Sequence, residues 1–378
     1  MENGIEIQRR GALTEVRLTR IAALNALNDT MRAEIVSELV GWARDPEVYA
    51  IALTSASGRA FSAGGDVREL VRLAADDPAL AAASLAAEYR MNWALECFTK
   101  PMVSLIDGMV MGSGVGLFLY GTHRVGGQGF QFAMPETAIG LFPDVGVSGH
   151  LARMPCHVGR YLGLTGRGIG AATARRLGIL THCIARQSFD AVLDGMAGAD
   201  PVDVIVDELD REAARTVADD DVKDEDWAGD EGGDLACYER LIGETFGGAT
   251  IGEIIKRLEE RGDSGTSDER AWCEGVLEDL RQRSPLSLVV TLRHLDQCRD
   301  LDLRDVLVRD YRLAVRFMAD HDFAEGVRAL LIDKDGRPAW RPATLEAVDE
   351  RVVNSYFAPL GEGELVLPTR EEMQNIAL

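Results

Sequence analysis

The stretch Phe132-Ala-Met-Pro-Glu-Thr-Ala-Ile-Gly-Leu-Phe-Pro-Asp-Val-Gly146 carries two acids, Glu136 and Asp144, in an otherwise apolar run bounded by Gly and Pro. No Lys or Arg falls between Arg124 and Arg153, so no neighbour in the sequence neutralises them. The two carboxylates therefore either face solvent on a surface loop or lie in a cleft where their basicity is used. A single acid after Pro often only begins a helix. The pairing of two acids among apolar residues favours the cleft.

Upstream of this stretch, the pattern of strand, small-residue loop and helix occurs twice. Residues 49–54 lead into a loop over 55–66, and a strand over Met102–Ile106 leads into Asp107-Gly-Met-Val-Met-Gly-Ser-Gly-Val-Gly116. Each loop places free backbone N–H groups at a helix N-terminus, where they favour negative charge. The loops could bind a phosphate or a cofactor. Alternatively, both loops could present amides to one carbonyl oxygen. Each such donor would stabilise the transition state by about 3 to 4 kcal/mol. Two tight turns that need Gly are the purely structural alternative.

The first part of the chain is predicted to mix strands and helices. Residues 4–19 are expected to form two strands, and the chain from 28 to 45 an amphipathic helix with apolar residues at helical spacing. Further helices are predicted over 70–98, with an interruption at 76–78, and over 146–154, 156–164 and 170–177.

An acidic segment separates this part from the rest. Residues 219–234 contain nine acids and one lysine, which predicts a solvated connection. From 236 onward the pattern is helical again, with a turn predicted at 262–267. We therefore predict a core over 1–199, an acidic connection over 200–235 and a helical C-terminal region over 236–378.

Composition excludes several classes of partner and site. The 378 residues carry a formal net charge of −22, which argues against nucleic acid and anionic membrane surfaces as partners. The apolar stretches are too short to span a bilayer. Six cysteines lie 25 or more residues apart with no C-x-x-C, so neither a metal site nor a disulfide framework is indicated. The N-terminus shows no targeting pattern, and we expect a cytoplasmic protein.

Other catalytic motifs are absent or incomplete in the sequence. Gly112-Ser-Gly-Val-Gly116 is not G-x-G-x-x-G, and no GK[ST] follows, so dinucleotide and P-loop sites are weak alternatives. Ser113 and Ser148 lack the G-x-S-x-G context of a serine hydrolase. The six histidines form no H-E-x-x-H motif.

Two segments, Ala60-Phe-Ser-Ala-Gly-Gly-Asp66 and Asp107 to Gly116, resemble the two oxyanion-hole segments of the crotonase (enoyl-CoA hydratase/isomerase) superfamily. The stretch from Phe132 to Gly146 is similar to its 3-hydroxyisobutyryl-CoA hydrolase branch, as are Ser284-Pro-Leu-Ser-Leu and the segment from His321 to Trp340. The resemblance covers nearly the whole chain except 200–235. It implies an α/β fold, a crotonase-like spiral of ββα repeats with a helical C-terminal region.

The resemblance also implies roles for individual residues. The oxyanion-hole amides would belong to Gly65 and Ser113, and Glu136 matches the acid that the superfamily shares. Asp144 stands where hydratases carry Gly, and Gly116 stands where they carry a second Glu. The pair Glu136 and Asp144 instead fits thioester hydrolysis. The remaining implied substrate contacts are Ala23, Leu24, Ala63, Gly64, Asp66, Gly112 and Phe142, and the implied CoA phosphate or adenine contacts are Arg20, Arg59 and Lys334.

The implied enzyme hydrolyses a short branched 3-hydroxyacyl-CoA to the free acid and CoA. It needs no cofactor, because CoA enters with the substrate, and no metal. A homo-oligomer, a trimer or hexamer as in relatives, is left open. Two alternatives are an enoyl-CoA hydratase or isomerase that uses Glu136 alone, and a non-catalytic acyl-CoA-binding protein. The acyl preference, and whether a carboxylate attacks directly or activates water, stay open.

Three departures from the family pattern bear on the substrate. Ser113 replaces the usual Gly in the middle of the glycine cluster, which keeps the amide but adds a side chain at the hole. Ala22 stands where a phosphate-contacting Lys is common. Gly146-Val-Ser-Gly-His150 replaces a run of glycines.

Overall fold

The computed structural model describes residues 4–218, 229–230 and 235–377. The strands of this part are β1 Ile5–Arg10, β2 Leu13–Leu18, β3 Ala50–Ser55, β4 Ala60–Ser62, β5 Met102–Ile106, β6 Met109–Met111, β7 His123–Gly126, β8 Gln131–Ala133, β9 Ile169–Gly170 and β10 His182–Cys183. They form a six-stranded sheet of order β1-β2-β3-β5-β7-β10 and a four-stranded sheet of order β4-β6-β8-β9.

The helices cover the sheets and build the last third of the chain. They are α1 Asp29–Arg44, α2 Val67–Asp76, α3 Pro78–Glu96, α4 Ser113–Phe118, α5 Val147–Arg153, α6 Val158–Thr165, α7 Ala171–Arg176, α8 Phe189–Ala197, α9 Val202–Ala218, α10 Leu235–Thr245, α11 Ile251–Ser264, α12 Ser267–Gln282, α13 Pro285–Cys298, α14 Leu303–Ala319, α15 His321–Val327, α16 Glu350–Phe357 and α17 Arg370–Ala377. Within the described ranges, no helix is long and apolar enough to cross a membrane.

The larger sheet begins with the predicted pair of strands. β1 and β2 are antiparallel, with Ile5 opposite Leu18, and β2, β3, β5, β7 and β10 then run parallel. The predicted first helix is confirmed as α1. Asn28 caps it by accepting a hydrogen bond from the Met31 N–H at 2.9 Å.

The smaller sheet decides where the candidate site lies. β6 lies between β4 and β8, and all three run parallel. Because parallel strands end at the same edge of a sheet, the loops that follow β4, β6 and β8 meet there. These loops carry Gly65, Ser113 and Glu136 in turn. Residues 23 to 71 positions apart in the chain are thus brought to one edge.

The C-terminal helices pack directly against the segment that bears the two acids. A 3-10 helix over Glu136–Ile139 follows β8. A Cβ built on Gly326 of α15 would lie 2.5 Å from the carbonyl carbon of Ile139, and a Cβ on Gly140 would collide with the Asp322 backbone. Both glycines therefore permit backbone-to-backbone contact. The buried Asp322 carboxylate accepts a hydrogen bond from Ser284 Oγ at 2.6 Å, which joins α15 to α13.

The structure differs from the prediction at the acidic segment. Its first part is a helix, α9, with Val202 and Val206 buried against the larger sheet. Asp203 pairs with His123 at 2.8 Å, and the neighbouring turn of the helix pairs with His182. Two acids of α9 thus pair with histidines far away in the sequence. Composition alone could not reveal these pairs. Residues 219–228 and 231–234 lie outside the described residues, and the division into three regions stays a prediction.

The turn predicted at 262–267 is shorter in the structure. α11 continues to Ser264 and α12 begins at Ser267, so only Gly265 and Thr266 connect them. Gly262 lies inside α11, where a Cβ would be 3.6 Å from Cys273 of α12. Gly262 therefore does not end the helix. The Thr266 side chain and Glu269 form a capping box that starts α12.

Candidate active site

The two small-residue loops converge at their glycines. Gly64 and Gly112 have positive φ angles of 109° and 47°. A Cβ built on Gly112 would lie 3.4 Å from the Gly64 Cα, and one on Gly65 would lie 2.7 Å from Ser113 Oγ. Any side chain at these positions would therefore separate the loops. In the described chain, neither the Gly65 nor the Ser113 amide N–H has a hydrogen-bond partner, so both remain available to one ligand atom.

Hydrogen bonds hold the first loop against residues 24–27. The Leu27 N–H donates to the Gly64 carbonyl at 2.8 Å, and the Ala63 N–H donates to the Leu24 carbonyl at 2.9 Å. Leu24 itself has a positive φ of 50°. Ala23 immediately precedes this turn. The structure thus places the predicted substrate contacts Ala23, Leu24, Ala63 and Gly64 together beside the amide of Gly65.

Glu136 faces the two loops directly. The residue is 5% exposed, and a Cβ on Gly112 would lie 3.1 Å from Glu136 Oε1. The second oxygen, Oε2, is buried with no hydrogen-bond partner in the described chain. Burial, and next the negative charge of Asp144, raise the pKa of Glu136 well above its ordinary value. A buried carboxylate with one unpartnered oxygen, close to a loop whose Ser113 amide is also free in the described chain, is an arrangement that binding of a ligand would complete.

Asp144 lies within electrostatic reach of Glu136 and is 7% exposed. The Tyr89 hydroxyl of α3 donates to Asp144 Oδ2 at 2.7 Å and so fixes the orientation of the carboxylate. Burial, and next the charge of Glu88, raise the pKa of Asp144 well above its ordinary value. The structure therefore brings the two acids of the central stretch into one buried region, in which Glu136 lies close to Gly112, the residue before Ser113.

The residues predicted to contact CoA are less well placed. Arg20 donates to Asp66 Oδ2 at 2.8 Å and to the Ala26 carbonyl at 2.9 Å, so Arg20 and Asp66 neutralise each other. Asp66 also caps α2. Arg59 and Lys334 are exposed, with no ion-pair partner in the described ranges. They remain free for an anionic group, but nothing converges around them.

Phe142, predicted as a substrate contact, is fully buried. Its ring lies 5.3 Å from the His294 ring and stacks 5.6 Å from the Phe317 ring, measured between centroids. Its apolar side chain therefore packs against the C-terminal helices. The sequence did not reveal that α13 and α14 cover this side of the loop, and the role of Phe142 as a substrate contact stays a prediction.

α3 supplies residues that the sequence reasoning missed. Glu88 is 4% exposed, with Oε1 unpartnered in the described chain and Oε2 3.4 Å from Arg32 Nη1. Tyr89 orients Asp144, and Asn92 donates to the Gly116 carbonyl at 3.0 Å. Tyr89 has the spacing of an ordinary core residue, so only Glu88, an acid on a buried face, gave a signal in the sequence.

Gly116, where a hydratase would carry its second Glu, has no space for a side chain. A Cβ there would lie 2.6 Å from Asn92 Nδ2 and 2.8 Å from Val145 Cβ. We expect Gly116→Glu to destabilise the protein by about 1–3 kcal/mol or more through overpacking, without creating hydratase activity. Urea unfolding and crotonyl-CoA hydration measure the two effects. The control is Gly41→Ala, since nothing lies within 4 Å of a Cβ at Gly41. A stable, hydrating Gly116→Glu protein would contradict this interpretation.

Known proteins of similar sequence match this chain over most of its length. The chain is 37% identical over 368 residues to the mitochondrial 3-hydroxyisobutyryl-CoA hydrolase of Xenopus laevis, covering 97% of this chain and 91% of that protein. It is also 37% identical over 357 residues to the small ribosomal subunit protein mS47 of Neurospora crassa, covering 91% of this chain and 69% of that protein.

Solved structures confirm the predicted fold class. The crystal structure of an enoyl-CoA hydratase from Rhodobacter sphaeroides 2.4.1 is similar with a TM-score of 0.82 and 36% identity, covering 96% of this chain and 100% of that chain. Residues 13–357 match the sequence family described as enoyl-CoA hydratase/isomerase. The resemblance noted in the sequence is thereby confirmed: the chain belongs to the enoyl-CoA hydratase/isomerase family.

Proposed function

We propose that this protein hydrolyses a short branched 3-hydroxyacyl-CoA, with 3-hydroxyisobutyryl-CoA as the substrate to be tested first. The observation that carries the proposal is the buried pair Glu136 and Asp144, with Glu136 Oε1 close to Gly112 in the loop that carries Ser113; in the described chain the amides of Gly65 and Ser113 have no hydrogen-bond partner. The name of the Xenopus relative supports the choice of substrate. The absence of space at Gly116 argues against the two-carboxylate hydration of an enoyl thioester.

The proposed reaction begins with the thioester carbonyl oxygen accepting hydrogen bonds from the Gly65 and Ser113 N–H groups. These donors stabilise the negative charge that develops on the oxygen. One carboxylate then removes a proton from water, whose oxygen attacks the carbonyl carbon, or it attacks that carbon itself to give an anhydride that water opens. In both routes the C–S bond breaks and CoA leaves as a thiolate. The proton that the carboxylate takes from the attacking water, or that is released when water opens the anhydride, passes to the thiolate, and the carboxylate is restored. Tyr89 holds Asp144 in one orientation throughout.

Some predictions made from the sequence are kept as parts of this proposal. The reaction needs no cofactor, because CoA arrives with the substrate. A homo-oligomer remains a prediction. The cytoplasmic location also remains one, and the Xenopus relative is named a mitochondrial protein. A Cβ built on Gly65 would lie 2.7 Å from Ser113 Oγ, so the Ser113 side chain lies next to Gly65.

One assay separates hydrolysis from its alternatives. The purified chain is incubated with 3-hydroxyisobutyryl-CoA and, separately, with crotonyl-CoA, while free thiol and enoyl absorbance are followed. We expect thiol release from the first substrate. Loss of enoyl absorbance without thiol would support a hydratase instead. Because one relative is named a ribosomal-subunit protein, binding without turnover is the third outcome, and it would overturn the proposal.

The pH dependence of hydrolysis should report the buried acids. Burial raises the pKa of both Glu136 and Asp144, and a carboxylate must be ionised to act as base or nucleophile. Activity is therefore complete above the raised pKa values and is lost as pH falls through them. We expect the acid limb of kcat/KM to lie well above about pH 4, the ordinary range of carboxyl groups. A limb at the ordinary value would contradict the buried position of the acids.

A further inference from the structure

The backbone that follows Asp144 is strained. Val145 has a φ of 51°, which a β-branched residue rarely adopts, and Gly146 has a φ of 81°. A conformation of this kind persists only where surrounding contacts hold it. Because Val145 is adjacent to Asp144, this turn sets the direction in which the Asp144 carboxylate points.

The groups that hold the turn come largely from the C-terminal helices. The Gly146 N–H donates to Asp310 Oδ2 of α14 at 2.6 Å. The other oxygen, Asp310 Oδ1, lies 2.6 Å from His294 Nε2 of α13. Both side chains are fully buried. On the opposite side, the Tyr120 hydroxyl of the segment after α4 donates to the Val145 carbonyl.

The hydrogen bond from the Gly146 N–H to Asp310 ties the pair to the turn, and besides burial the negative charge of Asp310 also helps to raise the pKa of Asp144. The Asp310 carboxylate divides its two oxygens between one backbone amide and one imidazole, so His294 fixes the rotation of the carboxylate that receives Gly146. The His294 ring in turn packs edge-on against Phe142, two residues before Asp144. Cys298 Sγ lies 3.5 Å from His294 Nδ1 and 3.6 Å from His294 Nε2, so it packs against the ring.

We propose that His294 and Asp310 form a positioning pair that holds the Val145–Gly146 turn, and through it the Asp144 carboxylate, in the orientation that hydrolysis requires. This inference rests on the proposed hydrolase function. Neither residue touches the substrate. Their effect is on the rate of the chemical step, because a small displacement of a reacting group lowers the rate without changing how CoA is bound.

The test uses variants of the full chain, with thiol release from 3-hydroxyisobutyryl-CoA as the assay. Asp310→Ala removes the acceptor of the Gly146 N–H, and we expect kcat to fall roughly 10- to 100-fold with KM nearly unchanged. Asp310→Asn keeps an oxygen for that N–H and should recover most of kcat. Glu364→Gln is the matched control. It removes the ion pair between Glu364 and Arg312, and Arg312 lies on α14, as Asp310 does. Glu364 itself is far along the chain from the turn. It should keep kcat.

Each outcome decides the inference. Wild-type kcat in folded Asp310→Ala, a parallel rise of KM, or no recovery in Asp310→Asn would overturn it while leaving the hydrolase proposal intact. If Asp310→Ala does not fold, His294→Leu carries the test, since it leaves Asp310 in place but removes its second donor. A folded His294→Leu protein with unchanged kcat would overturn the inference. No thiol release by the wild-type protein would overturn both proposals.

Discussion

Glu136→Gln should lower kcat for hydrolysis of 3-hydroxyisobutyryl-CoA about 10²- to 10⁴-fold, the usual contribution of a general base. The amide keeps the shape of the side chain but cannot accept a proton or form an anhydride. Binding of acyl-CoA should persist, because the amides of Gly65 and Ser113 are untouched. The measurement is steady-state thiol release, together with equilibrium binding of CoA thioester.

The same substitution should stabilise the protein at neutral to alkaline pH. A raised pKa in the folded state means that the folded protein holds the proton more tightly than the unfolded chain. The contribution of that group to stability is complete at low pH and is lost as pH rises through its folded-state pKa. Gln carries no charge and avoids this loss. We therefore expect a higher urea midpoint for Glu136→Gln at about pH 8.

An exposed acid provides the control for both measurements. Glu362 lies on the surface in the 3-10 helix Gly361–Gly363, and Glu362→Gln should change neither kcat nor the urea midpoint. Activity lost with stability gained would identify Glu136 as a buried group kept for chemistry. An unaltered kcat in Glu136→Gln would remove Glu136 from the reaction.

Ser113→Pro should lower kcat about 10²- to 10³-fold, the effect of deleting one oxyanion-hole donor. Ser113 is the first residue of α4, a position where Pro is tolerated because its missing N–H has no partner in the helix. The preceding Gly112 leaves the backbone free of a Cβ clash. The substitution therefore removes the proposed donor while the helix can still begin at the same residue.

Ser113→Ala is the matched control, since it removes the hydroxyl and keeps the amide. We expect it to retain kcat within a few-fold, because the role assigned to position 113 is that of its N–H. Circular dichroism checks that both variants are folded. Equal losses in Ser113→Pro and Ser113→Ala would show that the hydroxyl, and not the amide, supports the reaction.

Much of the core of the site could be predicted from local sequence. The glycines of both loops predicted tight turns, and the positive φ angles of Gly64 and Gly112 agree with this. The strand over Met102–Ile106 was also predicted with the bounds it has in the structure. These features depend on residues next to one another in the chain, so propensity and spacing are sufficient.

The missing parts depend on contacts between distant residues. Tyr89 lies 55 positions from Asp144, and Asp310 lies 164 positions from Gly146. Tyr89 has the spacing of an ordinary core residue, and Asp310 is an acid on the buried face of α14, but neither position reveals the distant partner that it contacts. For the same reason, Phe142 was predicted to face a ligand, although the rings of His294 and Phe317 cover it.

The central claim is that one thioester carbonyl lies between the paired amides and the paired acids. A crystal structure of Asp144→Asn with unhydrolysed 3-hydroxyisobutyryl-CoA tests it most directly. We expect the carbonyl oxygen about 2.7–3.1 Å from the Gly65 and Ser113 nitrogens, with Glu136 and residue 144 beside the carbonyl carbon. A thioester bound elsewhere, or a carbonyl oxygen that contacts neither amide, would contradict the account.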